Sequence, residues 1–182
     1  MADVSMMNLR IHNLVCTTII AENLNLERIH NMMKEVKYNP KTFPGLILRL
    51  KDLKTTLLIF KRGRVVCTGA KDIEDVNRSI RTLIKILETA NFEVNKNPKI
   101  TIQNIVGTYN LGIWLNLNNV VVRLGLENVE YEPEQFPGLV YRIDEPKTVL
   151  LLFQSGKVIC TGAKQIEDLE IAINKLKNNL FI

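Results

Sequence analysis

The chain contains YNPKTFPGLILRLKDLKTTLLIFKRGRVVCTGAKDIED at residues 38–75 and repeats it as YEPEQFPGLVYRIDEPKTVLLLFQSGKVICTGAKQIED at residues 131–168. Of these 38 aligned positions, 22 are identical. The similarity extends upstream, where IHNLVCTT (11–18) matches IQNIVGTY (102–109). Self-similarity of this kind indicates tandem duplication of one structural unit. The sequence therefore predicts two repeats, at 1–92 and 93–182.

Each repeat is predicted to contain strands followed by a long helix. Alternating and helical spacings predict, in the first repeat, a strand at Leu9–Thr18, a short helix from Leu26 to Val36 after the cap Asn25, and strands at Leu46–Leu50, Thr55–Phe60 and Arg64–Thr68. The turn at 61–63 joins the last two strands as a hairpin. Asp72 is the predicted cap of a long helix whose apolar positions run from Ile73 to Leu87. We expect an α+β fold, with one antiparallel sheet across both repeats and all helices on one face.

The second face of this sheet is expected to be uncharged. A sheet covered by helices on one side normally carries polar and charged residues on the other. Here the side chains expected on the uncovered face are Asn13, Val15, Thr17, Leu58, Phe60, Val66 and Thr68 in the first repeat, and Asn104, Val106, Thr108, Leu151, Phe153, Ile159 and Thr161 in the second. An uncharged exposed sheet of this size indicates a binding surface.

Two occupants of this face are compatible with the pattern. One is a partner protein or a second copy of the chain, which would bury the face in a dimer. The other is the minor groove of A·T-rich DNA, where the base edges offer only acceptors and G·C pairs add an amino donor. One asparagine per repeat among Val, Leu and Thr suits the A·T groove.

Four phenylalanines flank the face in symmetric pairs. Phe43 and Phe136 precede Pro44 and Pro137 in matching FPG turns, and Phe60 and Phe153 end matching strands. They are either core aromatics or apolar wedges of the kind that minor-groove proteins insert between base steps. The repeat and the uncharged face together favour wedges.

Basic residues at matching strand ends are candidates for contacts with backbone phosphates. They are Arg49, Arg64, Lys71, Arg142, Lys157 and Lys164. The chain has a formal net charge of +5, and the excess lies in residues 1–91, which hold 15 Lys and Arg against 9 Asp and Glu. A basic excess suits a nucleic-acid partner but is weak support alone.

Composition argues against several other classes of protein. Cys16, Cys67 and Cys160 form no CxxC pair and are expected to be reduced core thiols, and His12 and His30 are too isolated for a metal centre. We find no phosphate loop and no nucleophile with a histidine base, so we expect no catalytic residue, metal or cofactor. No signal peptide or membrane span is recognisable, which predicts an intracellular protein.

These repeated motifs resemble the TATA-box-binding protein family over nearly the whole chain. The matches run from the QNIV-type strand through YEPEQFPGLVYR to SGKVICTGAK. A start at Met1 without a long extension, and FPG in both halves, resemble the archaeal members. The resemblance implies a saddle with a concave ten-stranded sheet and four helices on the convex side.

The resemblance also implies roles for individual residues. Asn13 and Asn104, with Thr68 and Thr161 beside them, fall where the family hydrogen-bonds the central base pairs. The paired phenylalanines occupy the kinking positions, and those packing on the groove floor are Val15, Val66, Val106 and Ile159. The turn with Glu132, Glu134 and Gln135 falls where the family binds a transcription factor IIB-type factor, which implies a role in recruiting RNA polymerase.

Overall fold

The computed structural model describes residues 9–33 and 35–181. They form two compact units. The first is Asn13–Gln103, and the second consists of the described residues before Asn13 and after Gln103. The predicted α+β class and the two-repeat organisation are confirmed. The repeat limits 1–92 and 93–182 stay predictions.

The first unit contains four antiparallel strands and two helices. Its elements are β1 (Arg10–Ile19, which begins in the other unit), α1 (Leu26–Met32), β2 (Leu46–Leu50), β3 (Thr55–Ile59), β4 (Arg64–Ala70) and α2 (Ile73–Thr89). The strand order is β2-β3-β4-β1. The Asn25 side chain accepts the Arg28 N–H and the Asp72 side chain accepts the Asp75 N–H, so both predicted helix caps are confirmed.

The second unit repeats this arrangement. Its elements are β5 (Thr101–Asn110, which begins in the first unit), α3 (Leu117–Leu124), β6 (Val129–Glu130), β7 (Leu139–Ile143), β8 (Thr148–Leu152), β9 (Lys157–Ala163) and α4 (Ile166–Phe181). Their strand order is β5-β9-β8-β7-β6. Within the described residues, no helix has the length and apolar character needed to cross a bilayer.

The number of strands differs from the ten that the resemblance implied. The residues described here form nine strands. Among its described residues, the first unit has no counterpart of β6, because residues 35–38 make only an isolated bridge between Lys37 and Ile47. Helix α1 also ends before the predicted Val36, since Met33 is already extended, with φ −117° and ψ 99°.

The core of the first unit lies between its sheet and α2. Strand residues Leu57, Ile59 and Val65 are fully buried, as are Val76 and Leu83 of the helix. Burying one such side chain stabilises the fold by about 1.5–3 kcal/mol. The predicted apolar positions of α2 are thus confirmed, except that Ile73 in the first turn is 46% exposed.

All three cysteines are free and buried in these cores, as expected. Burial raises the pKa of the Cys67 thiol to about 12 and that of the Cys160 thiol to about 12. A thiol with such a pKa stays protonated at neutral pH and is chemically inert.

A glycine closes the β3–β4 hairpin at its tightest point. Gly63 has φ +67°, and its N–H donates to the Phe60 carbonyl at 2.9 Å. A Cβ atom at this position would lie 1.8 Å from the Ala21 carbonyl oxygen. Both the backbone conformation and the available space therefore require glycine here.

We expect Gly63→Ala to destabilise the protein more than Gly112→Ala. Both glycines have positive φ, which costs alanine about 1–2 kcal/mol. Nothing lies within 4 Å of a Cβ at Gly112, whereas the overlap with Ala21 adds about 1–3 kcal/mol for Gly63. Urea unfolding of the two variants measures the difference, and equal losses would contradict the steric argument.

Candidate nucleic-acid interface

The uncovered face of the first unit is an array of uncharged side chains on β1, β3 and β4, which Ile47 extends onto β2, with Arg49 at its outer edge. The strand register places Thr17 beside Val66, Val66 beside Leu58, and Leu58 beside Ile47. All four are half-buried. The residues directly before and after each of them along its strand are buried. Six of the seven residues predicted for this face in the first unit lie on its strands and are half-buried: Asn13, Val15, Thr17, Leu58, Val66 and Thr68. Phe60, predicted as the last residue of its strand, directly follows β3, which ends at Ile59.

The second unit presents an equivalent array. Here the register aligns Thr108, Ile159, Leu151 and Val140 across four strands. Asn104, Val106 and Thr161 lie on the same face and are half-buried. Ile47 and Val140 complete the rows but were absent from the predicted face, although the alternation within LILRL and LVYRI points to them.

The side-chain amide of Asn13 is held in one orientation. The Gly69 backbone N–H donates to Asn13 Oδ1 at 2.7 Å, and the Thr68 hydroxyl donates to the same oxygen at 3.2 Å. Because a backbone N–H can only donate, the oxygen must face the sheet and the amide NH₂ must face away. Asn13 therefore presents hydrogen-bond donors on the uncharged face.

Asn104 is held in a related way in the second unit. The Gly162 N–H donates to Asn104 Oδ1 at 2.7 Å, and Asn104 Nδ2 donates one of its two hydrogens to Thr161 Oγ1 at 3.2 Å, which leaves the other hydrogen available on the face. Gly69 and Gly162 have φ of +93° and +98°, and a Cβ on Gly69 would lie 2.6 Å from the Lys54 carbonyl oxygen. Glycine in the repeated TGA segment is thus what allows the backbone N–H to reach the asparagine.

The four predicted wedge residues form two edge-to-face pairs. The ring centroids of Phe43 and Phe60 are 5.7 Å apart, and those of Phe136 and Phe153 are 5.9 Å apart. Phe136 is 39% exposed and the other three rings are half-buried. None of the four rings lies in the core, which argues against the core alternative.

The FPG turns bring each pair together. A Cβ on Gly138 would lie 2.7 Å from Phe136 and 3.0 Å from Phe153, so both rings rest against the glycine backbone. A Cβ on Gly45 would lie 3.0 Å from Phe43. Pro44 and Pro137 are exposed beside the rings.

The predicted phosphate contacts are exposed but not equivalent in the two units. Arg64 and Lys157 begin β4 and β9, and Lys71 and Lys164 follow these strands. Arg142 pairs with Glu130 at 3.1 Å. Its counterpart Arg49 makes no such pair within the described residues, since Lys37 occupies the position of Glu130.

The turns before the FPG segments have one geometry and different charges. The Phe136 N–H donates to the Glu132 carbonyl at 2.9 Å, and the Phe43 N–H donates to the Asn39 carbonyl at 2.9 Å. The predicted partner-binding residues Glu132, Glu134 and Gln135 are all exposed. The first unit has Lys41 and Thr42 at the last two of these positions.

Comparison with protein families agrees with these features. The model described as "Transcription factor TFIID (or TATA-binding protein, TBP)" matches residues 8–90 and again 99–181. The chain belongs to the TATA-box-binding protein family. It is therefore a DNA-binding transcription factor and not an enzyme.

Individual TATA-box-binding proteins are similar over nearly their full length. The protein of Thermoplasma volcanium is 56% identical over 93% of this chain and 92% of its own, and that of Archaeoglobus fulgidus is 46% identical over 94% of both. The solved structure of Methanococcus jannaschii TBP superposes with a TM-score of 0.89 at 46% identity, covering 94% of this chain and 97% of its own. The expected archaeal-type family and its fold are thus confirmed.

Proposed function

We propose that this chain is a general initiation factor that binds the minor groove of the TATA box in promoter DNA. The observation that carries the proposal is the orientation of Asn13 and Asn104, whose side-chain oxygens accept backbone N–H groups, so that each amide keeps at least one hydrogen to donate from the face. The floor of an A·T minor groove offers acceptors alone, so these donors find partners there. A G·C pair would present its own amino donor to them and be rejected.

The apolar residues of each face complement the rest of the groove. Val15 and Val66 in the first unit, and Val106 and Ile159 in the second, are half-buried and carry no polar group. They require a partner surface without unpaired donors or charges. Contact with the groove floor buries them at a gain of about 25 cal/mol per Å² of apolar surface.

The phenylalanine pairs kink the duplex by inserting between base steps. Each pair lies at the end of its face, held against a glycine backbone by its FPG turn. Inserting such a ring between two bases costs a few kcal/mol in lost stacking for each step. The apolar surface that becomes buried in the bent and opened groove offsets this cost, and flexible TA steps reduce it.

The basic residues at the margins of the face bind the phosphate backbone of the DNA. Arg64, Lys71, Lys157 and Lys164 are exposed at the margins of the face and suit contacts with phosphates. Arg49 and Arg142 belong to the same proposal. Such contacts place the protein along chromosomal DNA without reading its sequence.

The acidic turn at 131–137 directs assembly on the promoter. Its exposed Glu132, Glu134 and Gln135 suit a basic surface on a transcription factor IIB-type factor, through which RNA polymerase is recruited. The corresponding turn of the first unit lacks these acids. The proposed site therefore exists on one half alone and gives the complex a direction.

The decisive experiment compares Asn13→Asp with the unchanged protein on a TATA duplex and on a G·C-rich duplex. Aspartate still accepts the Gly69 N–H, so we expect thermal stability to be retained. It removes the amide donors and adds a negative charge, so TATA affinity should fall at least about tenfold. Gel shift and fluorescence-transfer bending assays at fixed salt measure both properties.

The unchanged protein is the control for the function itself. Tight, bent binding to TATA alone supports the initiation-factor proposal. Equal binding to both duplexes without bending would overturn it and favour the alternative, a face buried in a partner protein or in a homodimer. Sedimentation of the DNA-free protein would then reveal such a dimer.

Phe153→Ala is expected to reduce the bend more than the stability of the fold. The ring is half-buried, so its loss should cost less than the about 3–5 kcal/mol typical of a buried phenylalanine. Fluorescence transfer on TATA DNA should report a smaller bend. Phe92→Ala, which removes a ring stacked under Arg28, is the control and should leave the bend unchanged. Parallel collapse of folding and bending in Phe153→Ala would favour a core role.

Glu134→Arg is expected to weaken recruitment of the IIB-type factor without weakening DNA binding. The charge reversal places a cation where a basic partner surface is proposed. Lys41→Glu, at the matching position of the first turn, is the control and should leave recruitment intact. A ternary-complex gel shift measures both variants, and unchanged recruitment by Glu134→Arg would remove this assignment.

A further inference from the structure

The segment that connects the two repeats is fixed against the end of β1. The Thr18 hydroxyl donates to the Lys99 carbonyl at 2.8 Å, and the Asn95 N–H donates to the Ile20 carbonyl at 2.7 Å. Thr18 is 4% exposed, and this bond satisfies its hydroxyl. The backbone of Lys99 therefore has a defined place beside the sheet and is not a free linker.

This fixed segment forms one wall of a polar cleft within the first unit. The polar side chains lining the cleft include Arg64, Lys99, Asn95, Gln103, Thr17 and Thr101. None of the described residues that line it carries a carboxylate. Gln103 Nε2 donates to Thr17 Oγ1 at 2.8 Å, which leaves the Thr17 hydroxyl hydrogen available to donate outward.

The chemistry of this cleft suits an anion with several acceptor oxygens. Arg64 and Lys99 supply two positive charges, and the amides and hydroxyls supply neutral donors. Phosphate oxygens accept hydrogen bonds from such a mixed set. A single carboxylate would leave more of these donors without partners.

The cleft also lies beside the uncharged face. Thr17 belongs to that face, and the strand register sets Arg64 opposite Ile19 at the end of β1. A duplex whose groove floor contacts the face carries its phosphates at the groove margins. One of them is thereby brought to the cleft.

We propose that this cleft binds one backbone phosphate of the bound duplex, and that Lys99 is a DNA-binding residue supplied by the connection between the repeats. The inference rests on the proposed DNA-binding function and extends it to a residue outside the repeated motifs. The position that matches Lys99 in the first repeat is Asn8 in the sequence. The phosphate contacts of the two halves accordingly differ by one charge.

A neighbouring lysine provides a matched control. Lys96 lies in the same connection, but its Nζ pairs with Glu88 at 3.0 Å and it does not line the cleft. Within the described residues, Lys99 forms no salt bridge, so its charge is available to a phosphate. Lys99→Ala and Lys96→Ala remove the same charge from sites only three residues apart.

The test is the salt dependence of TATA binding in these two variants. Each phosphate contact contributes about 0.9 to the slope of log K against log salt concentration. Between 50 and 200 mM salt, Lys99→Ala should therefore lose about three- to fourfold less affinity than the unchanged protein. Lys96→Ala should keep the original slope, and thermal melting should show both variants folded.

The outcomes separate this inference from the function on which it rests. If the unchanged protein does not prefer TATA DNA, the proposed function fails and the phosphate site fails with it. If it binds TATA but Lys99→Ala keeps the full slope, or if Lys96→Ala lowers it equally, the phosphate site alone is overturned. Thr101→Glu, which places a carboxylate in the cleft while keeping Lys99, should weaken TATA binding at least fivefold, and unchanged affinity would also overturn it.

Discussion

The packing of one long helix against one face of each unit's strands is the constraint on which the binding surface depends. In the first unit, α2 covers Leu57, Ile59 and Val65, which are fully buried. Side chains alternate along a strand. Because these residues face the helix, Leu58 and Val66 must lie on the opposite face of the sheet. A register shift of one residue would exchange the two sets. The helix thus determines which side chains remain available for a ligand.

Comparison of the two repeats distinguishes the residues that both copies of the fold keep from those that differ between them. Both units keep the TGA glycine, the asparagine that it orients and the FPG phenylalanine pair, so one local structure is built twice. Charged positions differ instead. Arg142 is paired with Glu130, whereas the first unit has Lys37 at the position that matches Glu130. The second turn has Glu134 where the first turn has Lys41. Since both units fold with their own charges, these differences are free to give the halves separate partners.

Much of the fold was predictable because its signals are local. Alternation fixed the limits of β2, and Asn25 and Asp72 marked the starts of two helices. The orientation of the Asn13 amide was not predictable, since it depends on Gly69, which is 56 residues away and adopts a positive φ. The place of Lys99 likewise depends on a distant contact, a bond from Thr18 that crosses 81 residues. Periodicity carries no information on such contacts.

Under the proposed function, sequence reading and backbone attraction belong to different residues for an electrostatic reason. A charged donor on the face would lose its hydration when the groove closed over it, at a cost of several kcal/mol. An amide donates the same hydrogen bond without that cost, which favours Asn13 and Asn104 over lysine at these positions. Cations such as Arg64 and Lys71 remain exposed at the margins, where they keep water and still attract phosphates. Neutral groups therefore discriminate between A·T and G·C pairs, and they add nothing to the salt dependence of binding. The salt dependence comes from the cations, which do not read the sequence.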